Sequence, residues 1–290
     1  MARWRAFLAV GAVVVGVGVL SIGFGRQLIG SGGGDKLSPE VVEKLGPASA
    51  RFTKEPAGPP VGAMEAVRQA AEAKKYAFAF FWKEQGEETA AMRKVFDAAM
   101  QKAADRARPV VVRVDDPGEK QIVEKYDLLR APMPLVLAIA PNGAVMGGFP
   151  KRCSEDELLG AFGTRSIEGC MKALQDGKLV FLCVQNASTS SNDEAMAGVR
   201  QFQADGRFAD VTQVVTLDPA DAAEATLLTD LKIDPKTPDA VTVFLAPPGA
   251  AVAKLRGATN KEMFVSALEK ASSGCAPGQA CAPGACGPKK

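Results

Sequence analysis

Histidine is absent from all 290 residues. Ser-His-Asp and Cys-His nucleophile pairs are therefore excluded, as are histidine-ligated zinc sites. Phosphate-cradling loops are missing too. There is no G-x-x-x-x-G-K-[ST], and no G-x-G-x-x-G falls between a predicted strand and a predicted helix. The chain also lacks an excess of charge of one sign: 35 Lys+Arg against 33 Asp+Glu leave a formal net charge of +2. No basic stripe carries interleaved aromatics, which argues against a nucleic-acid partner. The six cysteines (Cys153, Cys170, Cys183, Cys275, Cys281, Cys286) form no C-x-x-C pair. Three crowd into the last stretch, so the cysteine pattern belongs to a tail and not to a disulfide framework.

What is present is ordinary globular composition, 47% hydrophobic and 23% charged, in a chain long enough for an anchor plus one large or two modest domains. Residues 6–25 are uncharged and mostly apolar behind Arg3 and Arg5. About 20 helical residues span roughly 30 Å, the thickness of a bilayer core. Residues 1–29 therefore read as a transmembrane signal anchor, with the flanking arginines in the cytoplasm and the rest extracytoplasmic. Secretion after cleavage near Ser21, Gly23 or Gly25 is the alternative. Residues 30–61 begin GSGGG and continue with five prolines, a flexible and then stiffer linker.

The organising stretch is KYAFAFFWKEQGEET, residues 75–89. Its first half reads as a buried strand over 76–82 and its second half opens a helix over 87–104. In that helix Met92, Val95, Phe96, Ala99, Met100 and Ala103 recur at helical spacing. A helix over 64–74 precedes the strand. After it come a strand at 110–114, a helix over 119–129 with Ile122, Val123, Tyr126 and Leu129 on one face, and a hairpin of strands 135–140 and 144–149 about Pro141-Asn142-Gly143. Ser154-x-x-Glu157 is a capping box that starts a last helix bearing Leu158, Leu159 and Phe162. Helical crossovers demand parallel pairing of the first strands, and the hairpin adds antiparallel ones.

The order then repeats. KLVFLCV at 178–184 matches 75–81, Leu217-Asp218-Pro219 matches 115–117, Ala246-Pro247-Pro248-Gly249 matches 140–143, and Thr259-x-x-Glu262 repeats the capping box. Helices are expected over 166–175, 192–203 and 222–231. Four landmarks in register at spacings of 102 to 106 residues argue for an internal duplication. Residues 272–290 are rich in Gly, Pro and Ala, with nothing large enough to pack, and read as a disordered tail.

These residues carry a family likeness. Phe81-Trp82, the amphipathic helix after it, Asp115, Tyr126, Met133-Pro134, Asn142-Gly143 and the final helix resemble the thioredoxin-like superfamily over residues 62–165; residues 166–271 resemble it more weakly. The likeness implies an α/β protein of two tandem thioredoxin-like domains, each a mixed central sheet flanked by helices. It implies a cis peptide at Met133–Pro134, with Pro238 as the counterpart in the second domain. The family's W-C-G-P-C falls on 85–89, where Gly86 and Thr89 stand in place of the two cysteines. The buried acid of the family falls on Phe80. In the second repeat the corresponding stretch, QNASTSSN at 185–192, has no cysteine either.

The catalytic set is thus empty, with a degenerate site at Gly86, Glu87, Glu88 and Thr89. Glu87 and Glu88 suit a helix start, and adjacent residues on a helix point in different directions, so they do not make an acid–base pair. Cys183 reads as a small core residue and Cys170 as a helix residue without an assignable partner. Cys153, at the same end of such a fold as Gly86, is a candidate reactive thiol. Cys275, Cys281 and Cys286, spaced C-x5-C-x4-C, are candidate ligands for a soft metal such as Cu(I) or Zn, or candidates for thiol exchange. No other cofactor is expected. The function expected is a membrane-anchored, redox-inactive scaffold or chaperone-like module for unidentified protein partners. The alternative is thiol or soft-metal handling through the tail and Cys153.

Overall fold

A computed structural model of the chain describes residues 62–272. The expected anchor, the linker and the three tail cysteines lie outside the described residues. Among the described residues no helix is long and apolar enough to cross a membrane.

The first half runs α1 (Ala63–Glu72), β1 (Tyr76–Trp82), α2 (Glu87–Lys102), β2 (Ala107–Arg113), α3 (Lys120–Lys125), β3 (Leu135–Ile139), β4 (Val145–Pro150) and α4 (Glu155–Leu159). Its sheet has the order β2-β1-β3-β4. β1 and β2 are parallel, and β3 is antiparallel to both β1 and β4. β1 is buried along nearly its whole length because it sits inside a three-layer sandwich. Strand alternation sends Ala77, Ala79 and Phe81 to the cluster that also holds Val67 of α1 and Ile122 of α3. Tyr76, Phe78 and Phe80 go to the opposite cluster, with Met92 and Phe96 of α2 and Leu158 of α4.

The second half repeats the plan with α5 (Arg165–Gln175), β5 (Leu179–Val184), α6 (Asn192–Gln203), β6 (Thr212–Leu217), α7 (Ala225–Asp230), β7 (Val241–Ala246), β8 (Ala250–Arg256) and α8 (Lys261–Ser272). The sheet order is β6-β5-β7-β8, with the same strand directions. One core face is aromatic: Phe181 stacks on Phe244 at 4.5 Å and meets Phe202 and Phe264 edge-on.

Several expectations need correction. The helix expected over 119–129 is broken. A 3-10 turn at Pro117–Glu119 leads into α3, Asp127 turns left-handed with φ of 49°, and a second 3-10 turn follows at Leu128–Arg130. Leu128 is thereby buried and Leu129 left 79% exposed, opposite to the face expected for Leu129. The helix expected over 222–231 likewise starts as a 3-10 turn. The Ser154 capping box forms, but α4 stops at Leu159, and Phe162 reaches the core from beyond its end. The second capping box does not form as read. Asn260 Oδ1 accepts the Met263 N–H at 3.0 Å, while the buried Thr259 donates its hydroxyl to the Ala195 carbonyl at 2.8 Å.

The candidate site at the strand-to-helix corner

Gly86 is the residue before α2, in extended backbone with φ of −168°, which any residue adopts. A Cβ built there meets nothing within 4 Å, so the position has room for a side chain. Thr89 turns inward and donates its hydroxyl to the Glu84 carbonyl at 2.9 Å, bracing the corner. Glu87 and Glu88 lie in the first turn of α2, where the helix dipole favours negative charge. Glu88 lies 3.5 Å from Arg152, and both side chains are exposed, which makes a weak surface pair.

The sheet register sets what else reaches this corner. Phe81 pairs with Leu135, and Leu135 with Pro150. Pro134, whose bond to Met133 is cis, therefore sits at the end of β1 beside the corner. Its carbonyl accepts the Lys151 N–H at 2.6 Å, which draws the segment holding Cys153 to the same end. Gly86, Thr89, Pro134 and Cys153 thus share one end of the sheet. Cys153 packs against the Phe80 cluster together with Trp82 and Phe149. Burial, and secondarily the Glu157 carboxylate, push its thiol up to about 11. Such a thiol is almost wholly protonated near neutrality, and the thiolate is the nucleophile.

Phe80 is fully buried, with its ring 5.5 Å from Phe96. The Arg93 guanidinium caps both rings, at 5.7 and 5.9 Å from their centroids. Phe80 is thus part of an aromatic core and carries no ionisable group.

The corresponding corner of the second half spends its polar groups on itself. Asn186 donates to Asp218 at 2.7 Å and accepts the Ser188 N–H at 2.9 Å. Thr189 donates to Asn192, and Asn192 donates to the Asn186 carbonyl, both at 2.7 Å. The Ala220 N–H and then the Asn186 amide hold the Asp218 carboxyl below its ordinary range. The absence of cysteine here is plain from the sequence, but this hydrogen-bonded corner is not. The cluster of Asn, Ser and Thr was the available signal, since these side chains close turns by bonding nearby backbone. Pro238, expected as the counterpart of Pro134, is not cis and lies three residues before β7. Its carbonyl accepts the Ser190 N–H at 2.8 Å, so it ties down the corner loop. The other cis bond among the described residues, Pro247–Pro248, is in the β7–β8 turn.

Cys170 and Cys183 are free and buried, with Cys170 under one face of the second sheet and Cys183 under the other. Burial, chiefly, pushes both thiols up to about 12. Among the described residues no group of three or more acidic, cysteine or histidine side chains could hold a metal ion. Surface concavities run along the exposed side of α2, at Arg93, Lys94, Asp97 and Gln101, and between Lys232 and Arg256; neither reaches the corner.

In each half a parallel strand pair, a helical crossover and an antiparallel hairpin make one sheet with the hairpin strand inside, and helices cover both faces. The described residues form two tandem domains of the thioredoxin fold. No protein-family model and no curated protein sequence matches it. Among solved structures it is similar to thioredoxin O2 from Arabidopsis thaliana, at 13% identity and a TM-score of 0.28, over 34% of this chain and 84% of that one. It is also similar to a disulphide isomerase from Xylella fastidiosa, at 16% identity and a TM-score of 0.26, over 33% and 79%. The first two thioredoxin domains of Saccharomyces cerevisiae Eps1p match 73% of this chain and 97% of that one, at 9% identity and a TM-score of 0.28.

Proposed function

We propose that this tandem thioredoxin-like protein is a redox-inactive scaffold or chaperone-like module that binds other polypeptides. One observation carries the reading. At the β1–α2 corner no cysteine is present: Gly86 and Thr89 stand where the resemblance puts the two thiols, and the Thr89 hydroxyl donates to the Glu84 carbonyl. A disulfide can neither form nor be attacked there. Among the described residues, Cys153 is the thiol at the same end of the sheet as this corner, and burial pushes it up to about 11. Residues 6–25 are proposed to hold the module on the outer side of a membrane.

The experiment is insulin reduction with dithiothreitol as electron donor, run on the full chain and on a chain ending at residue 271, beside an aggregation-suppression assay on a reduced client. The proposal expects no insulin reduction by either protein and suppressed client aggregation by both. Insulin reduction that disappears with residues 272–290 would instead assign thiol chemistry to Cys275, Cys281 and Cys286. Stoichiometric Cu(I) or Zn binding lost with the same truncation would assign them metal handling.

A further inference from the structure

α5 opens the second domain by sequence, yet its side chains serve both domains. Cys170, Ala173 and Leu174 are buried under the second sheet. Met171 packs instead against the Phe78 cluster of the first domain. The polar contacts follow the same division. The Tyr76 hydroxyl, at the start of β1, donates to Glu168 Oε1 at 2.5 Å and accepts the Gly163 N–H at 2.9 Å. Asn142, in the β3–β4 turn, donates to the Glu168 carbonyl at 2.8 Å. The Gln175 amide accepts the Val145 N–H at 2.9 Å and donates to the Val145 carbonyl at 2.7 Å, pairing with the edge strand β4 as another strand would. From the other side, Thr164 donates to the buried Glu224 at 2.8 Å. Arg106 lies 4.2 Å over Phe162, which itself meets Tyr76 edge-on.

The duplication supplies an internal control. Lys74 and Gly177, both left-handed and 103 residues apart, close α1 and α5 in the same way. That spacing sets Glu65, Arg68 and Glu72 of α1 where α5 carries Glu168, Met171 and Gln175. On α1 those three residues pair among themselves, Arg68 with Glu65 at 2.6 Å and with Glu72 at 2.8 Å, on an exposed face. The same helix position is thus a solvated face in the first domain and an interface in the second.

We propose that α5 is a shared helix that locks the two domains into one cooperatively unfolding body, with Tyr76–Glu168 and Gln175–Val145 as its latches. Tandem domains joined by small polar interfaces move relative to one another by default. Here Met171 contributes apolar burial, and the Tyr76–Glu168 bond is part-buried, where an unmet partner is costly, while the Asn142–Glu168 and Gln175–Val145 bonds cross between the domains at the exposed rim.

The test is hydrogen exchange on the full chain, read by mass spectrometry at the central strands β1 and β5 as denaturant is raised. In the wild type both strands open with one denaturant dependence, that of global unfolding. In the Tyr76→Phe/Gln175→Ala double variant they separate by at least tenfold in protection at a fixed denaturant concentration. Tyr76→Phe alone, which keeps the buried ring, separates them in the same direction. Arg68→Ala on α1 leaves them coincident. The proposal is overturned by different dependences of β1 and β5 already in the wild type, or by coincident strands in the double variant.

Discussion

Gly198, in the middle of α6, lies so close to Thr259 that a Cβ added to it would stand 2.2 Å from the Thr259 hydroxyl and 2.5 Å from its carbonyl carbon. A glycine inside a helix ordinarily costs about 1 kcal/mol relative to alanine. This one is retained because the chain entering α8 runs across it and the Thr259 hydroxyl bonds to the Ala195 carbonyl of the same helix. Gly198→Ala should therefore destabilise the protein by about 1–3 kcal/mol, against the helix-propensity trend. Urea titration followed by circular dichroism reads the change, and an unchanged or raised midpoint would count against the close approach.

If the corner is a thiol scaffold without its thiols, restoring them should restore chemistry. Gly86 has open space around its Cβ direction, and Thr89 stands one helical turn further on. The double variant Gly86→Cys/Thr89→Cys should form a disulfide on mild oxidation and reduce insulin where the wild type does not. The amide groups at the start of α2 favour the thiolate, partly offset by Glu87 and Glu88. A double variant that folds, titrates two extra thiols and stays inert would show that more than the cysteines has been lost.

How much of this could be read beforehand depended on how local the cause was. β1 and α6 are found at the residues expected, because alternation and helical spacing are written within each segment. The Ser154 capping box is equally local. Thr259 misled because its neighbour Asn260 offers an equally good cap, and only the tertiary approach of Gly198 decides between them. Leu129 misled because helical periodicity cannot foresee the left-handed turn at Asp127. The bridging role of α5 had no sequence signal. Its partners lie 26 to 92 residues away, and Glu168 and Gln175 look like any solvated helix face until the fold brings Tyr76 and Val145 to them.

The buried thiols predict alkaline lability. Cys170 and Cys183 are pushed up to about 12 and Cys153 to about 11, from an ordinary 9.0, because burial favours the neutral thiol. A folded value above the unfolded one means that the stabilisation is complete below about 9 and is lost as pH rises toward the folded values. For Cys183 the upper bound of this loss is about 4 kcal/mol, three units at about 1.4 kcal/mol each. Urea midpoints of the wild type should fall between pH 9 and 11.5. Cys183→Ala should start lower at pH 7, because a small cavity opens, and should fall less steeply above pH 9. Parallel slopes would exclude Cys183 as a cause.

The acid limb has a different origin. The Arg207 guanidinium and backbone N–H, with Lys261 behind them, hold the Asp205 carboxyl far below its ordinary 3.8. Arg207 bonds it at 2.9 and 3.0 Å, and Lys261 of α8 approaches within 3.6 Å. Asp205 therefore ties the end of α6 to the start of α8, the two helices that cover the aromatic face of the second sheet. Its folded value is depressed, so its contribution is present in full above the unfolded value near 3.8 and is lost as pH falls below it. Asp205→Asn should leave the acid slope of stability shallower between pH 4 and pH 2 and lower the midpoint at pH 7. Added salt should narrow the gap between the two proteins at pH 7, since the pair lies at the surface. A variant whose pH profile runs parallel to the wild type throughout would remove Asp205 from the account of acid unfolding.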